Sequence, residues 1–180
     1  MIPLWVWIIV AILVCAVLWV ISTSNRFKVL LVKIEEADSG VDMALTKRYD
    51  TLTKLMDVVR AYARHEIDAP SEFVRLRADM NHAQKAEVNR QLDVLTDRVR
   101  IIAEAYPALR SSENYRVLQD AVLDAEDHLQ AARRVYNMNV SAFNQAIVQF
   151  PASIIATRAL SGPKGFFAAE DEKKQDASMK

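Results

Sequence analysis

The chain consists of one uninterrupted apolar run followed by a long amphipathic region. Residues 2–21 contain no charged residue and no Ser, Thr, Asn or Gln. A helix of that length, rising about 1.5 Å per residue, matches a bilayer hydrocarbon core of about 30 Å. Trp5, Trp7 and Trp19 lie toward the two ends of the run, where amphipathic rings favour the membrane interface. The pattern predicts a transmembrane helix over residues 2–21.

A cleaved signal peptide is the alternative interpretation of this run. Such a peptide has a basic start, a shorter apolar stretch and a small-residue cleavage site. Here no Lys or Arg precedes the run, and the residues that follow it begin Ser22-Thr23-Ser24. We therefore expect an uncleaved anchor. Arg26, Lys28 and Lys33 follow the run, and the positive-inside rule places such residues in the cytoplasm. The prediction is a single-pass protein with its amino terminus outside and its body cytoplasmic.

Beyond the anchor, apolar residues recur at alternating spacings of three and four, which is typical of amphipathic helices. Three such stripes run from Phe27 to Tyr62, from Phe73 to Tyr106 and from Leu118 to Phe150. They predict three helices of about 35–40 residues, joined by short connections that make neighbours antiparallel. The expected fold class is all-α: a transmembrane helix, then a long antiparallel up-and-down bundle of three long helices and a short carboxyl-terminal helix. The predicted domains are an anchor over 2–21, a bundle over 26–169 and a disordered tail over 170–180.

Turn residues place the ends of these helices. Ser71 and Ser112, each followed by Glu, are predicted N-caps. Gly40 interrupts the first helix, and the interpretations are a close helix approach or slight kink, or a hinge. An alternating bundle would return the Tyr106–Pro107 turn to the bilayer and place the Phe150–Pro151 exit at the far end.

That geometry would bring Arg110 beside Arg26 and Lys28. These three residues are therefore a candidate membrane-proximal basic group, with contact to anionic headgroups as one interpretation and ordinary topogenic charge as the other. The apolar stretch after Pro151 has two interpretations as well. It packs back on the bundle as a short fourth helix, or it places Phe166 and Phe167 at the membrane interface.

Composition excludes several functional classes. The formal net charge is zero, from 23 basic and 23 acidic residues, so no basic surface for nucleic acid is indicated. Cys15 is the only cysteine and lies inside the apolar run, so a disulfide within the body is excluded. No Glu-x-x-His pair, metalloprotease motif or Gly-rich phosphate loop is present. The sequence predicts no catalytic residue, no cofactor, no metal and no small-molecule substrate, and we expect a protein that is not an enzyme.

A few polar residues lie on or beside the apolar stripes. They are Arg48, Asp50, Glu126, Arg133 and Asn144. A charge inside a bundle is tolerated when it is paired and hydrogen-bonded. These residues therefore predict an interhelical polar layer that fixes register, with a binding site built on that layer as the alternative.

Several stretches in this order resemble the LemA family. They are Ile34–Ala37, Gly40–Asp42, Leu45–Asp50, Arg60–Glu66, Tyr106–Leu109, Glu113–Tyr115, Leu118–Gln119, Ala132–Asn137, Phe143–Asn144, Phe150–Pro151 and Phe166–Phe167. The resemblance departs from the family pattern at Asp50–Leu55, where the family often has a proline, and at Thr157–Arg158, where it usually has Gly-Phe. The resemblance implies a bacterial membrane protein with an amino-terminal anchor, a cytoplasmic body and an antiparallel helical bundle, and it brings no catalytic residues.

The sequence supports three functional hypotheses. The first is a membrane-tethered interaction or scaffold module that associates with the bilayer and with copies of itself or another membrane protein. The second is an adaptor or sensor that serves a membrane enzyme or an envelope-stress system. The third is a ligand- or metal-binding bundle that uses the polar layer.

Overall fold

The computed structural model describes residues 3–62, 80–159 and 162–167. Five helices lie in these ranges: α1 (Leu4–Tyr62), α2 (His82–Ala105), α3 (Pro107–Arg110), α4 (Glu113–Val148) and α5 (Ala152–Ala159). The described ranges contain no strand. The predicted all-α class is therefore confirmed.

Helix α1 begins as the apolar run and ends as part of a packed core. Its most apolar 18-residue window has a mean hydropathy of 3.0 and is 0% buried, and by length and composition this helix is a candidate membrane span. All side chains from Trp7 to Ser22 are exposed. The same helix continues without a break, and its first buried residue is Phe27, which is 2% exposed.

The chain forms two compact units. The first unit contains Met1–Asp38 and Val135–Lys180, and the second contains Ser39–Arg134. Both α1 and α4 contribute residues to each unit.

In the first unit, α4 runs antiparallel to α1. The Asn139 side chain donates a hydrogen bond to the Lys33 carbonyl (3.1 Å). Three residues earlier on α4, Tyr136 lies close enough to Asp38 for the Asp38 charge to raise the pKa of the Tyr136 phenol. Later residues of α4 thus lie beside earlier residues of α1. The buried residues of this unit include Phe27, Ile34, Ala37, Tyr136, Val140, Phe143, Ala146, Ile147, Ala156 and Phe167.

This direction corrects the expected position of the Phe150–Pro151 exit. Successive residues of α4 lie beside progressively earlier residues of α1. The last residue of α4, Val148, therefore lies level with about residue 25 of α1. The exit is therefore beside the end of the apolar run, not at the far end from it. The prediction failed because it assumed strict alternation of three helices.

In the second unit, α2 and α4 form a hairpin whose turn contains α3. Leu109 in that turn is fully buried. The charges of Arg100 and Glu104, near the end of α2, act on the pKa of Tyr115, near the start of α4, so these residues lie close together. The chain therefore reverses direction between the two helices, at the turn that contains Tyr106 and Pro107.

Helix α2 runs in the same direction as α1, in contrast to the predicted antiparallel pairing. Asp42 pairs with Lys85, and further along α1 Arg48 contacts Asn89 and Asp93. Later residues of α1 therefore contact later residues of α2, as they do when two helices are parallel. The predicted second helix, starting at Ser71, is also wrong across residues 80–81, which are not helical. Ser71 itself lies outside the described residues.

A capping box explains where α2 begins. The Asn81 side chain accepts a hydrogen bond from the Gln84 backbone N–H, and the Gln84 side chain accepts one from the Asn81 N–H, both at 2.9 Å. Together they satisfy two backbone donors that a helix start leaves free. The helix consequently starts at His82 and has 24 residues.

Gly40 lies within α1, and the helix passes through it without interruption. A Cβ added at this position would meet nothing within 4 Å. The close helix approach expected at Gly40 is therefore wrong, because no neighbouring atom needs the space that glycine leaves.

Candidate functional site

A buried arginine lies at the centre of the second unit. Arg48 continues the buried stripe of α1 between Leu45 and Leu52, and it is 1% exposed. Its guanidinium donates one hydrogen bond to the Asn89 amide oxygen and another to Asp93 at 2.5 Å. The Glu126 carboxylate of α4 is 3.8 Å from the same guanidinium. We call these four residues the arginine cluster; it joins α1, α2 and α4.

Two further ion pairs join the same helices. Lys85 of α2 is 2% exposed and pairs with Asp42 of α1 at 2.7 Å. Lys47 of α1 pairs with Asp124 of α4 at 2.8 Å, and both of these side chains are largely exposed. The hydrogen bond from Lys47 holds the pKa of the Asp124 carboxyl below its usual value. Directional charged contacts thus fix how the three helices of this unit align.

The residues of the arginine cluster are suited to form ion pairs with one another. One buried cation faces the carboxylates of Asp93 and Glu126, whose side chains are each 36% exposed. Within the described ranges, no three His, Cys, Asp or Glu side chains are grouped so that they could hold a metal ion. The arrangement compensates the buried charge and sets the register of the helices.

A second polar site holds the segment Gly162–Phe167, which we call the carboxyl-terminal strap, against α4 in the first unit. Asn144 donates to the Lys164 carbonyl (2.9 Å) and accepts from the Lys164 N–H (2.8 Å). Asn137 does the same with Phe167, at 3.1 and 2.8 Å. Each side-chain amide therefore hydrogen-bonds the strap as a neighbouring β-strand would.

The spacing of the two asparagines matches the strap. Asn137 and Asn144 are two helical turns apart, about 10.5 Å along α4. Lys164 and Phe167 are three residues apart, and an extended chain covers about 10 Å over that distance. Because the partners are backbone atoms, the two asparagines bind the backbone of the strap and do not depend on its side chains at these positions.

Tyr136 completes the strap site. Its hydroxyl donates to the Gly165 carbonyl at 3.3 Å, and its ring meets the buried Phe167 ring edge-on at 5.4 Å between centroids. Burial raises the pKa of the Tyr136 phenol, and the nearby Asp38 charge acts in the same direction. The phenol therefore stays neutral, and able to donate its proton, to a higher pH than an exposed tyrosine does.

The residues that the sequence proposes as one polar layer occupy different places. Arg48 and Glu126 meet in the arginine cluster. Asp50 is exposed on α1, and Arg133 is half-buried on α4 about two turns after Glu126. Asn144 belongs to the first unit, where it holds the strap.

The proposed membrane-proximal basic residues are all exposed. Arg26 and Lys28 lie on α1 just after the apolar run, in the first unit, whereas Arg110 lies in the second unit. The sequence grouped Arg110 with them by assuming that α2 returns antiparallel to α1, and the second unit contradicts that assumption. The grouping of Arg110 with Arg26 and Lys28 stays a prediction.

Sequence reasoning missed Lys85, Asn89 and Asp93 of α2. A signal for Lys85 was present, because it lies three residues before Val88 and so continues the stripe Val88, Leu92, Leu95 and Val99. Asn137 lies within the stretch Ala132–Asn137 that resembles the family. Its spacing of seven from Asn144 was the available signal for a second residue on the same helix face.

These features define a class: an all-helical protein whose first helix is a candidate membrane span at one end and part of a packed core at the other. The chain belongs to the LemA family, whose model matches residues 37–180. This confirms the resemblance read from the sequence, and membership supports a membrane-associated protein.

Two relatives illustrate the similarity. The chain is 27% identical over 131 residues to Protein LemA of Metamycoplasma hominis, a match that covers 70% of this chain and 60% of that protein. It is 29% identical over 59 residues to the Magnetosome protein MamQ of Magnetospirillum gryphiswaldense, covering 33% of this chain and 22% of that protein. The matches thus span less than two thirds of either relative.

Proposed function

We propose that the protein is a membrane-anchored helical interaction module, acting as a scaffold for copies of itself or for another membrane protein. The observation that carries this proposal is α1. Its apolar first part contains no buried residue, and its later residues supply core positions in both units. An apolar helix that is also part of the fold serves as a permanent anchor for the packed body.

The body offers long helical faces for such contacts. Helix α4 packs beside α1 in the first unit and beside α2 in the second. On the outer side of α2, Val94 is 53% exposed and Ile101 is 66% exposed. They are seven residues apart and so share one face. Exposed apolar positions on one helix face are suitable for packing against a partner helix.

An adaptor that serves a membrane enzyme would use the same face and differ only in its partner. Photo-crosslinking in living cells distinguishes the two. A benzophenone amino acid replaces Ile101, and the matched control carries it at Lys54, an exposed charged position of the same unit. We expect light-dependent adducts at Ile101 that exceed those at Lys54.

The identity of the adduct then decides between the hypotheses. Self-adducts support a scaffold, and a reproducible membrane enzyme supports the adaptor. Adducts at Ile101 no more abundant than those at Lys54 would contradict an interaction role for this face.

A further inference from the structure

We propose that the corner between α4 and α5 is a second membrane contact. Val148, Phe150 and Ile154 would enter the interfacial layer of the leaflet from which α1 emerges. This inference rests on the proposed anchor, and it adds a lipid-binding surface on the body itself. We call these three residues the apolar corner.

The register of α4 on α1 places the corner at the right height. Asn139 lies beside Lys33, and α4 descends along α1 from there to Val148. At 1.5 Å per residue on both helices, Val148 at the end of α4 lies level with about residue 24 or 25 of α1, and Phe150 follows two residues later. The apolar run ends at Ile21, so the corner is level with the membrane surface that the run defines.

Burial marks the same boundary independently. On α1, Ser22 is exposed, Thr23 is half-buried, and Phe27 is the first buried residue. On α4, Ala146 and Ile147 are buried immediately before the corner. Along α4, the buried residues therefore end where the corner begins, level with the end of the apolar run on α1.

The corner exposes large apolar side chains at this height. Val148 is 71% exposed, Phe150 82% and Ile154 56%. Such a group in water is unfavourable, whereas the interface between headgroups and acyl chains accepts apolar and aromatic side chains. The bilayer is the partner that its position supplies.

Charge supports the same partner. Among the residues of the first unit that the structure describes, no Asp or Glu occurs in residues 3–34, 135–159 or 162–167. Basic residues do occur there, and Arg26 and Lys28 are exposed close to the height of the corner. Cations without neighbouring carboxylates are attracted to anionic lipid, each contributing about 1 kcal/mol near the surface.

Phe166 provides a matched control within the same unit. It is 54% exposed and lies in the strap between Lys164 and Phe167, which contact Asn144 and Asn137. That height is about 15 Å further along α1 than Phe150, beyond the interfacial layer. The two exposed phenylalanines thus differ in their distance from the candidate span.

The experiment uses the full chain with Cys15→Ala, reconstituted in vesicles of zwitterionic and anionic phospholipid. Single cysteines at Phe150, Phe166 or Leu18 carry an environment-sensitive fluorophore, and lipids with a nitroxide near the headgroup quench it. We expect the label at position 150 to shift to the blue and lose most of its fluorescence. The label at position 166 should remain solvent-like.

The Leu18 label separates this inference from the proposed anchor. If label 18 is protected from water and label 150 behaves like label 166, the corner proposal fails and the anchor stands. If label 18 is also solvent-like, the anchor itself fails. As a second measurement, Phe150→Glu should weaken quenching of a label at Ile154, whereas Phe166→Glu should not; equal effects would overturn the proposal.

Discussion

Two neighbouring residues of α1 show how strongly position decides the role of a charge. Lys47 is exposed and pairs with the exposed Asp124, whereas Arg48 is buried and pairs with Asp93 and Glu126. An exposed pair gains little because water screens it. A buried guanidinium has no water to replace a lost partner, so removing one of its carboxylates should cost more stability than breaking an exposed pair.

We therefore expect unequal effects from substitutions in the arginine cluster. Asp93→Ala leaves the buried guanidinium with a more distant carboxylate and should lower the free energy of unfolding by about 1–3 kcal/mol. Arg48→Met should cost less than Asp93→Ala, because it fills the volume and leaves two carboxylates that reach solvent. Chemical denaturation of the full chain in detergent measures both.

Lys47→Met is the matched control for Arg48→Met. Because its partner is exposed, it should change the free energy of unfolding by less than about 1 kcal/mol. A Lys47→Met variant that loses as much stability as Asp93→Ala would contradict the importance assigned to burial here.

A substitution at Gly40 should raise the free energy of unfolding instead of lowering it. Since an added Cβ meets no atom within 4 Å, Gly40→Ala should raise the free energy of unfolding by about 0.5–1 kcal/mol through the lower entropy of the unfolded chain. Ser39→Ala, at the exposed preceding position, serves as a control with a smaller expected gain. A loss of stability in Gly40→Ala would favour the hinge interpretation instead.

Among the elements, the carboxyl-terminal strap depends most on a small number of hydrogen bonds. Asn137→Ala and Asn144→Ala each remove both bonds to one strap residue. At about 0.5–1.5 kcal/mol per bond, the Lys164 and Phe167 amides should exchange with solvent roughly tenfold faster or more. Hydrogen exchange by NMR or mass spectrometry measures this.

Asn139→Ala is the control for the strap. It removes a hydrogen bond from the same helix to Lys33 and should leave exchange in the strap unchanged. Faster exchange at Lys164 and Phe167 in this variant would mean that the strap responds to α4 as a whole rather than to its two asparagines.

The strap site should also weaken at alkaline pH. Burial raises the pKa of Tyr136 in the folded chain above its unfolded value of about 10. Below that value the phenol is neutral in both states and its contribution is fully present. As pH rises further, the unfolded chain releases this proton first, so stability falls until the folded pKa is passed.

The Tyr136→Phe variant tests this pH dependence. Denaturation at a series of pH values from about 8 to about 11 should show a shallower fall in stability for the variant than for the parent chain. Some fall should remain, because burial raises the pKa of Tyr115 as well. Identical slopes for variant and parent would contradict the role given to the Tyr136 phenol.

The elements also show what sequence reasoning can and cannot reach. The stripes of α1 and α4 were predictable, because Ile34, Val41, Leu129 and Val140 are buried as their periodicity requires. The same periodicity singled out Arg48. Periodicity does not give direction, however, and so it could not show that α2 runs parallel to α1.

The start of α2 and the strap were missed for a different reason. Asn81 and Gln84 form a capping box that uses Asn in place of the usual Ser or Thr, so the sequence lacks the pattern that most often marks a helix start. The strap is held through backbone atoms, and backbone contacts leave little pattern in the side chains that are held. The only sequence signal for the strap site was the spacing of Asn137 and Asn144.

At the scale of the whole molecule, the proposed topology is directly testable. Arg26, Lys28 and Lys33 follow the candidate span and predict a cytoplasmic body. A carboxyl-terminal tag should therefore survive protease added outside sealed cells and be digested after the membrane is permeabilised. A protein of known outward orientation in the same sample controls for protease activity, and digestion of the tag in intact cells would contradict the topology.

The continuity of α1 has a consequence for how the body faces its neighbours in the plane of the membrane. The candidate span and the Phe27–Asp38 portion of the first unit belong to one helix, so the rotational setting of one is transmitted to the other. One residue inserted between Ser22 and Asn25 would turn the body by about 100° about the span while raising it only about 1.5 Å. Seven inserted residues would nearly restore the original azimuth. In the proposed interaction role, the phase of this single helix would select which lateral partners the body meets.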